Sequence, residues 1–186
     1  QARMVRNAMT VDVEDYFQVS AFEAHIARDS WEHLPCRVER NIDRILALFD
    51  EYEVSATFFV LGWMAERYPA MVRQMSDAGH EVASHGYEHV RVVNQTPEDF
   101  RADIRRTKSL LEDTTGRAVH GYRAASYSIG RDNLWALDAL HEAGHQYSSS
   151  IYPIHHDLYG MPEAPRFAFR HRGESGILEV PVTTVE

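Results

Sequence analysis

Two histidines at the end of a predicted strand have the spacing of metal ligands. His85 and His89 stand four residues apart in the segment "HEVASHGYEHV" (80–90). Two imidazoles at this spacing can bind one cation, and a nearby carboxylate would complete a set of three protein ligands. The fourth position would then be open to water, as it is in catalytic zinc sites. The spacing by itself also fits one core histidine and one surface histidine, so the decision depends on the other polar residues.

An acidic cluster stands at the end of another predicted strand. Asp12, Glu14 and Asp15 lie within four residues in the segment "VDVEDYF" (11–17). Unpaired buried carboxylates are costly, so a cluster of them on an apolar strand needs a reason. A solvated strand end, or an aspartate that caps the next element, is the alternative, but we favour a metal ligand or a general base.

A third group of candidates occupies the segment "GYRAASYSIG" (121–130). Arg123 is a fixed cation that would hold a catalytic carboxylate ionised and oriented, although a surface salt bridge is the alternative. The backbone N–H groups of Ser126 and Tyr127 could face a developing oxyanion. The small alanine and serine residues of this segment would let a substrate approach the backbone.

The two histidines also match an inverted zinc-peptidase motif. The segment "HGYEH" (85–89) has the form His-x-x-Glu-His, with Glu88 as the base. That motif needs both histidines on a helix, and Gly86 would cost about 1 kcal/mol in a helix interior. We therefore place the peptidase second.

Strands and helices alternate along the chain from residue 8 to about residue 150. This alternation predicts a parallel sheet, open or closed into a barrel, with the chemistry at the carboxyl ends of the strands. The predicted strands are 8–13, 55–62, 80–85, 118–123, 145–149 and 177–186. The predicted helices are 37–52, 68–79, 96–116 and 131–144, and residues 152–176 read as a long excursion.

Composition limits the remaining function classes. The 186 residues carry a net charge of −9, which argues against nucleic-acid binding because that requires clustered Lys and Arg. One cysteine, Cys36, excludes an intrachain disulfide and a cysteine-rich zinc site. No apolar run reaches the roughly 18 residues of a membrane span, and the start of the chain lacks a signal-peptide pattern. These features predict a cytoplasmic protein, with its oligomeric state open.

Three segments together resemble a known family. In order and spacing, "TVDVEDYF" (10–17), "GHEVASHGYEH" (79–89) and "GYRAASYSI" (121–129) resemble the first three motifs of the polysaccharide deacetylases, the NodB-homology or carbohydrate esterase family 4. The segment "YSSSIYPIHHDLYGMPEAPRF" (147–167) resembles the branch near peptidoglycan deacetylases and metal-free allantoinases. Within that branch the closest resemblance is to the exopolysaccharide deacetylases associated with PEP-CTERM/exosortase loci. The resemblance implies a distorted (β/α) barrel with fewer than eight strands and one catalytic domain over residues 1–186.

The resemblance also implies roles for individual residues. It implies a zinc or other divalent cation on an Asp-His-His set, in which His85 and His89 are the histidines. Asp12 matches the general base and Arg123 matches the arginine that tethers it. The backbone near Ser126 and Tyr127 matches the oxyanion donor.

The carboxylate ligand is ambiguous in this sequence. The segment reads Asp12-Val-Glu14-Asp15, so counting without a gap puts Glu14 at the metal position, whereas a shift by one puts Asp15 there. Aspartate is the family's usual ligand, which gives a slight preference for Asp15.

The activity implied is hydrolysis of N-acetyl groups, or O-acetyl groups, on a bacterial polysaccharide. The family's last motif supplies a histidine as general acid, and the chain ends at Glu186 without it. We therefore expect either a fragment that lacks its last strands, or substitution by another group such as His155, or impaired activity. Two further alternatives are a metal-free, allantoinase-like amidase and a catalytically silent glycan-binding module.

Overall fold

A mostly parallel sheet forms the centre of the molecule, and the computed structural model describes residues 7–185 of it. Its strands are β1 (Met9–Val13), β2 (Ala56–Val60), β3 (Glu81–Ser84), β4 (Gly121–Tyr122), β5 (Tyr147–Ser148), β6 (Phe169–Arg170) and β7 (Leu178–Glu179). Their order is β1-β2-β3-β4-β5-β7-β6, and the one antiparallel pair is β6 with β7. The predicted α/β class is confirmed. Closure into a barrel is not observed among the described residues, because β1 and β6 stand at the two edges of the sheet.

Five α-helices connect and cover the strands. They are α1 (Val38–Glu51), α2 (Gly62–Arg67), α3 (Pro69–Asp77), α4 (Pro97–Thr115) and α5 (Trp135–Glu142). Helix α4 shows why the predicted boundaries hold. The Thr96 hydroxyl accepts a hydrogen bond from the Asp99 N–H, Pro97 occupies the first turn, and Gly116 ends the helix at φ 68°.

The structure differs from the predicted elements in several places, and it shortens the predicted strands 118–123 and 145–149 to β4 and β5. Helix α2 was not predicted; it begins directly after β2, where the N–H groups of Gly62 and Trp63 donate to carbonyls of the 85–91 segment. The predicted helix 131–144 is a 3-10 turn (Arg131–Asn133) followed by α5. The predicted strand 177–186 is reduced to β7, and residue 186 of it lies outside the described residues. The predicted excursion 152–176 contains the short strand β6.

Two hydrophobic clusters hold the helices against the sheet. The first packs α1, α2 and α3 on the first three strands, and includes contacts among the rings of Phe17, Trp31 and Trp63. The second packs α4 and α5 on β4, with Phe100 edge-on against Tyr122. No helix within residues 7–185 is long and apolar enough to cross a membrane.

His145, just before β5, makes stability depend on pH. It is 2% exposed, and burial together with the Lys108 charge lowers its pKa to about 4 from an ordinary value of 6.5. The unfolded chain therefore binds a proton that the folded chain excludes, so stability falls as pH drops from 6.5 towards 4. At pH 5 the expected loss from this group is about 2 kcal/mol relative to pH 7.5.

Urea unfolding at pH 7.5 and pH 5.0 measures this effect. His145→Phe removes the titrating imidazole, so less stability should be lost between the two pH values. The Leu140 carbonyl that faces Nδ1 keeps a donor in this variant, because it also accepts from the residue 145 N–H. The matched control is His141→Phe, because His141 is exposed on α5. Equal pH dependence in wild type and His145→Phe would contradict the assignment.

Candidate metal centre and catalytic site

The carboxyl ends of β1, β3 and β4 bring the predicted site residues to one edge of the sheet. Residues Met9–Val13 pair with Ala56–Val60 of β2, which in turn pairs with β3. Ser84 pairs with Tyr122, and its carbonyl accepts the Arg123 N–H at 2.9 Å. Parallel pairing therefore places the first residues beyond each strand, including Glu14, His85 and Arg123, beside one another.

Glu14, His85 and His89 each offer one ligand atom, and these atoms lie within 4.8 Å of one another. His85 Nδ1 is 2.8 Å from the Arg123 carbonyl oxygen, which can only accept, so Nδ1 carries the proton and Nε2 has a free lone pair. Burial lowers the pKa of His85, which favours the neutral imidazole that a metal needs. Both histidines are buried.

The polar atoms of this group fit a divalent cation. His89 Nε2 lies 2.9 Å from Glu14 Oε2, but its geometry does not let the ring donate a hydrogen bond to that oxygen. Within residues 7–185, Glu14 Oε2 and His85 Nε2 are buried without a hydrogen-bond partner. Such unsatisfied groups are costly, and an ion held among them would satisfy both. Two imidazoles and a carboxylate are a ligand set typical of catalytic zinc.

Asp15 points elsewhere, which reverses the sequence-based preference for it as the metal ligand. Its buried carboxylate accepts from the N–H groups of Tyr16 (2.8 Å) and Arg37 (2.5 Å) and pairs with the Arg37 guanidinium (3.1 Å). Burial raises the pKa of Asp15, but these hydrogen bonds outweigh burial and lower it. The side chains of an extended chain alternate, so Asp12 and Glu14 share a face that Asp15 does not.

Asp12 and Arg123 form an ion pair beside the three-ligand group. Arg123 Nη1 donates to Asp12 Oδ1 at 2.8 Å and to Thr10 Oγ1 at 3.0 Å. The other oxygen of Asp12 lies 4.0 Å from His85 Nε2. Arg123 is buried and donates from Nε and Nη2 to the carbonyl and hydroxyl of Ser149. The arginine thus fixes the carboxylate next to the candidate metal position.

The two backbone N–H groups predicted as oxyanion donors, those of Ser126 and Tyr127, differ in their hydrogen bonding in the structure. Ser126 and Tyr127 both have left-handed backbones, with φ of 51° and 49°. The Tyr127 N–H donates to the Ala124 carbonyl at 3.1 Å, so its predicted role as an oxyanion donor is wrong in this geometry. In the described part of the chain, the Ser126 N–H has no acceptor, while its hydroxyl bonds to that of Ser20.

Sequence reasoning missed a buried carboxylate behind Arg123. Glu179, on β7, is fully buried, and its Oε1 accepts from the N–H groups of Ser150 and Ile151 at 2.8 Å each. The Ser150 hydroxyl in turn accepts the Ala124 N–H. Burial raises the pKa of Glu179 despite these donors and the nearby Arg123 charge. One charged residue in the apolar run "ILEVPV" (177–182) was the available signal.

The inverted peptidase motif is wrong for this chain. Strand β3 ends at Ser84, and residues 85–91 form no helix. Gly86 and His89 have φ of 74° and 53°, outside the helical region. Glu88 therefore does not share a helical face with the two histidines.

Known family models match two ranges of the chain. The family model described as polysaccharide deacetylase matches residues 29–148. The chain belongs to the polysaccharide deacetylase family. A second model, a domain of unknown function (DUF3473), matches residues 149–186 and so contains Glu179. Strand β1, with Asp12 and Glu14, precedes both matched ranges.

Curated deacetylases resemble part of the chain. A peptidoglycan deacetylase of Helicobacter pylori is 36% identical over 120 residues, which cover 64% of this chain and 39% of that protein. A peptidoglycan-N-acetylglucosamine deacetylase of Bacillus cereus is 32% identical over 96 residues, which cover 51% of this chain and 35% of that protein. The chain thus spans well under half the length of these relatives. The exosortase-associated branch stays a prediction.

Solved structures share the deacetylase fold. A crystal structure assigned as a polysaccharide deacetylase from Mycobacterium smegmatis matches with a TM-score of 0.74 and 26% identity, covering 95% of this chain and 58% of that one. The Puue allantoinase matches with a TM-score of 0.61 and 23% identity, covering 77% of this chain and 43% of that one. At that identity the allantoinase shares the fold alone.

Proposed function

We propose that this chain hydrolyses N-acetyl groups on the amino sugars of a bacterial polysaccharide, as one metal-dependent catalytic domain. The observation that carries the proposal is the Asp12–Arg123 ion pair beside the convergent ligand atoms of Glu14, His85 and His89. The polysaccharide and peptidoglycan deacetylases among its relatives support the same reaction class. O-acetyl groups present the same carbonyl to the site and are a second substrate type.

A divalent cation bound by Glu14, His85 and His89 would polarise the acetyl carbonyl and lower the pKa of a water molecule at the site. Asp12 would accept the proton of the attacking water, because Arg123 fixes one carboxylate oxygen and the other faces the ligand group. The Ser126 N–H is the chain's donor for the developing oxyanion. Within the described residues this N–H has no hydrogen-bond acceptor, which leaves it available to the substrate.

The leaving amine needs a proton as its bond to the acetyl carbon breaks, and the Asp12 carboxyl group, which carries the proton taken from the water, would return it to the nitrogen. His155, the candidate from the sequence, lies exposed in the loop after β5. Its role as an acid stays a prediction.

Acetate release tests the proposed function. The purified chain, supplied with Zn²⁺, is expected to release acetate from the N-acetylglucosamine tetramer, and chelation of the metal should stop the release. Acetylated xylan, assayed alongside, separates O- from N-deacetylation. No acetate from either substrate at any metal loading would overturn the proposal. Binding of the tetramer in that case would favour the silent glycan-binding module.

A further inference from the structure

A cavity of about 600 Å³ opens beside the candidate centre, on the same edge of the sheet. Its walls come from the loops that follow β3, β4 and β5, within the ranges 92–97, 127–135 and 158–163. The volume is typical of a ligand pocket, and carboxyl-edge loops are where α/β folds bind ligands. A cavity of about 670 Å³ lies at the opposite edge, between α1 and the residues that precede β2 and β3, away from the proposed chemistry.

The Tyr127 side chain lies next to both the cavity and the Asp12–Arg123 ion pair. Its ring centroid lies 5.6 Å from the Arg123 guanidinium carbon, and the same residue lines the cavity. The ring also contacts those of Tyr152 and Tyr159, at 5.5 and 5.9 Å between centroids. One side chain, Tyr127, therefore contacts both Arg123 and the cavity.

Aromatic and aliphatic side chains form much of the cavity wall. Tyr127, Trp135 and Tyr159 line it, and the Tyr159 ring is held by stacking on His156 at 3.8 Å and 9°. At the mouth, Val93 and Leu158 are 61% and 59% exposed. Contiguous exposed apolar groups rimmed by polar residues mark binding sites.

Polar groups of both charge signs complete the rim. Arg131 Nε pairs with Glu163 Oε1 at 2.5 Å, and Asp132 lies beside them. The wall thus combines flat apolar rings with hydrogen-bonding groups and has no concentrated positive charge for an anion. A pyranose ring has the matching form, with an apolar C–H face and a hydroxyl-bearing edge.

We propose that this cavity binds a pyranose unit that neighbours, in the same polysaccharide chain, the sugar being deacetylated. The proposal rests on the proposed function and adds a second sugar position to it. The polymer would run from Asp12 along Tyr127 and place the neighbouring unit against Tyr159 and Trp135. Oligomers long enough to reach both positions would bind more tightly than the monosaccharide.

Steady-state acetate release from the N-acetylglucosamine monomer and tetramer tests this position. Tyr159→Ala should raise KM for the tetramer about 5- to 10-fold, with kcat and the monomer kinetics unchanged, because an aromatic contact is lost away from the reacting atoms. Tyr159→Phe keeps the ring and should behave as wild type. The matched control is Tyr52→Ala, an exposed tyrosine at the end of α1.

A second variant guards against local unfolding around residue 159. Val93→Arg changes an exposed side chain at the mouth, and the larger group should obstruct the tetramer but not the monomer. If wild type is active and both Tyr159→Ala and Val93→Arg keep the wild-type KM for the tetramer, the cavity proposal is overturned while the proposed function stands.

Fluorescence of Trp135 reports binding independently of turnover. The tetramer should change the emission of wild type but not of Trp135→Phe, since Trp31 and Trp63 are packed in the other hydrophobic cluster. This change should weaken in Tyr159→Ala. If no acetate is released, the proposed function fails, but the fluorescence titration still tests the cavity proposal. Tetramer binding that is lost in Tyr159→Ala supports the cavity as the sugar site, and no tetramer binding to wild type overturns that proposal.

Discussion

Asp12→Asn is expected to lower kcat for acetate release by about 100- to 10,000-fold while the chain keeps its metal. Asparagine retains the shape of the side chain and an oxygen for Arg123, but it cannot accept a proton from water. Asp12 does not belong to the three-ligand group of Glu14, His85 and His89, so its loss as a base leaves that group intact. The measurement is acetate release together with elemental analysis of the same preparation.

His85→Ala should instead lose both the metal and the activity. The substitution removes one of three ligand atoms from a buried group, which weakens binding by about 100-fold or more, since even loss of a supporting partner costs 10- to 100-fold. Elemental analysis is expected to find one ion per wild-type or Asp12→Asn chain and none in His85→Ala. His141→Ala, on the exposed side of α5, is the matched control.

The contrast between these two variants separates a base from a ligand. Metal retained in His85→Ala would contradict the ligand role, and metal lost in Asp12→Asn would show that Asp12 helps to bind the ion. Full activity in Asp12→Asn would remove it as the base. Asp12 Oδ2 lies 4.0 Å from His85 Nε2 and both residues contact Arg123, so metal content and activity are measured on the same preparation of each variant.

The position of the site could be predicted from the sequence, because the carboxyl ends of parallel strands lie at one edge of the sheet. His85, His89 and Asp12 each follow or end an apolar run, so the alternation of strands and helices was enough to predict that they meet. The choice of Glu14 over Asp15 as the metal ligand could also have been predicted from the sequence. Alternation along an extended chain puts Asp12 and Glu14 on one face, and the usual preference for aspartate was the weaker argument.

Long-range pairing set the limits of prediction. Glu179 matters only because β7 pairs with β5, which brings its carboxylate under the Ser150 and Ile151 amides. No local pattern encodes that meeting. The open sheet was also beyond local patterns, because closure depends on whether the edge strands β1 and β6 meet. The hydrogen bond of the Tyr127 N–H belongs to a turn that the sequence does not reveal.

Glu179→Leu is expected to destabilise the fold and to lower kcat. The substitution leaves two buried N–H groups without an acceptor, at about 1–3 kcal/mol each. The segment they belong to holds Arg123 through the Ser149 carbonyl and hydroxyl, so the arginine and Asp12 should shift. A displacement of about 1 Å at a reacting group can cost about 100-fold, and we expect a 10- to 100-fold fall in kcat.

Glu179→Gln distinguishes a positioning residue from a merely structural one. Glutamine keeps an acceptor oxygen for both N–H groups, so stability should stay within about 1 kcal/mol of wild type and most of kcat should return. Glu142→Leu, at an exposed glutamate of α5, controls for the loss of a carboxylate. Assays well below the unfolding temperature should show unchanged KM and metal content in Glu179→Leu, because the substitution acts on the orientation of Asp12 and not on the ligand group. A folded Glu179→Leu protein with wild-type kcat would reduce Glu179 to a structural role and would mean that the position of Arg123 does not depend on Glu179.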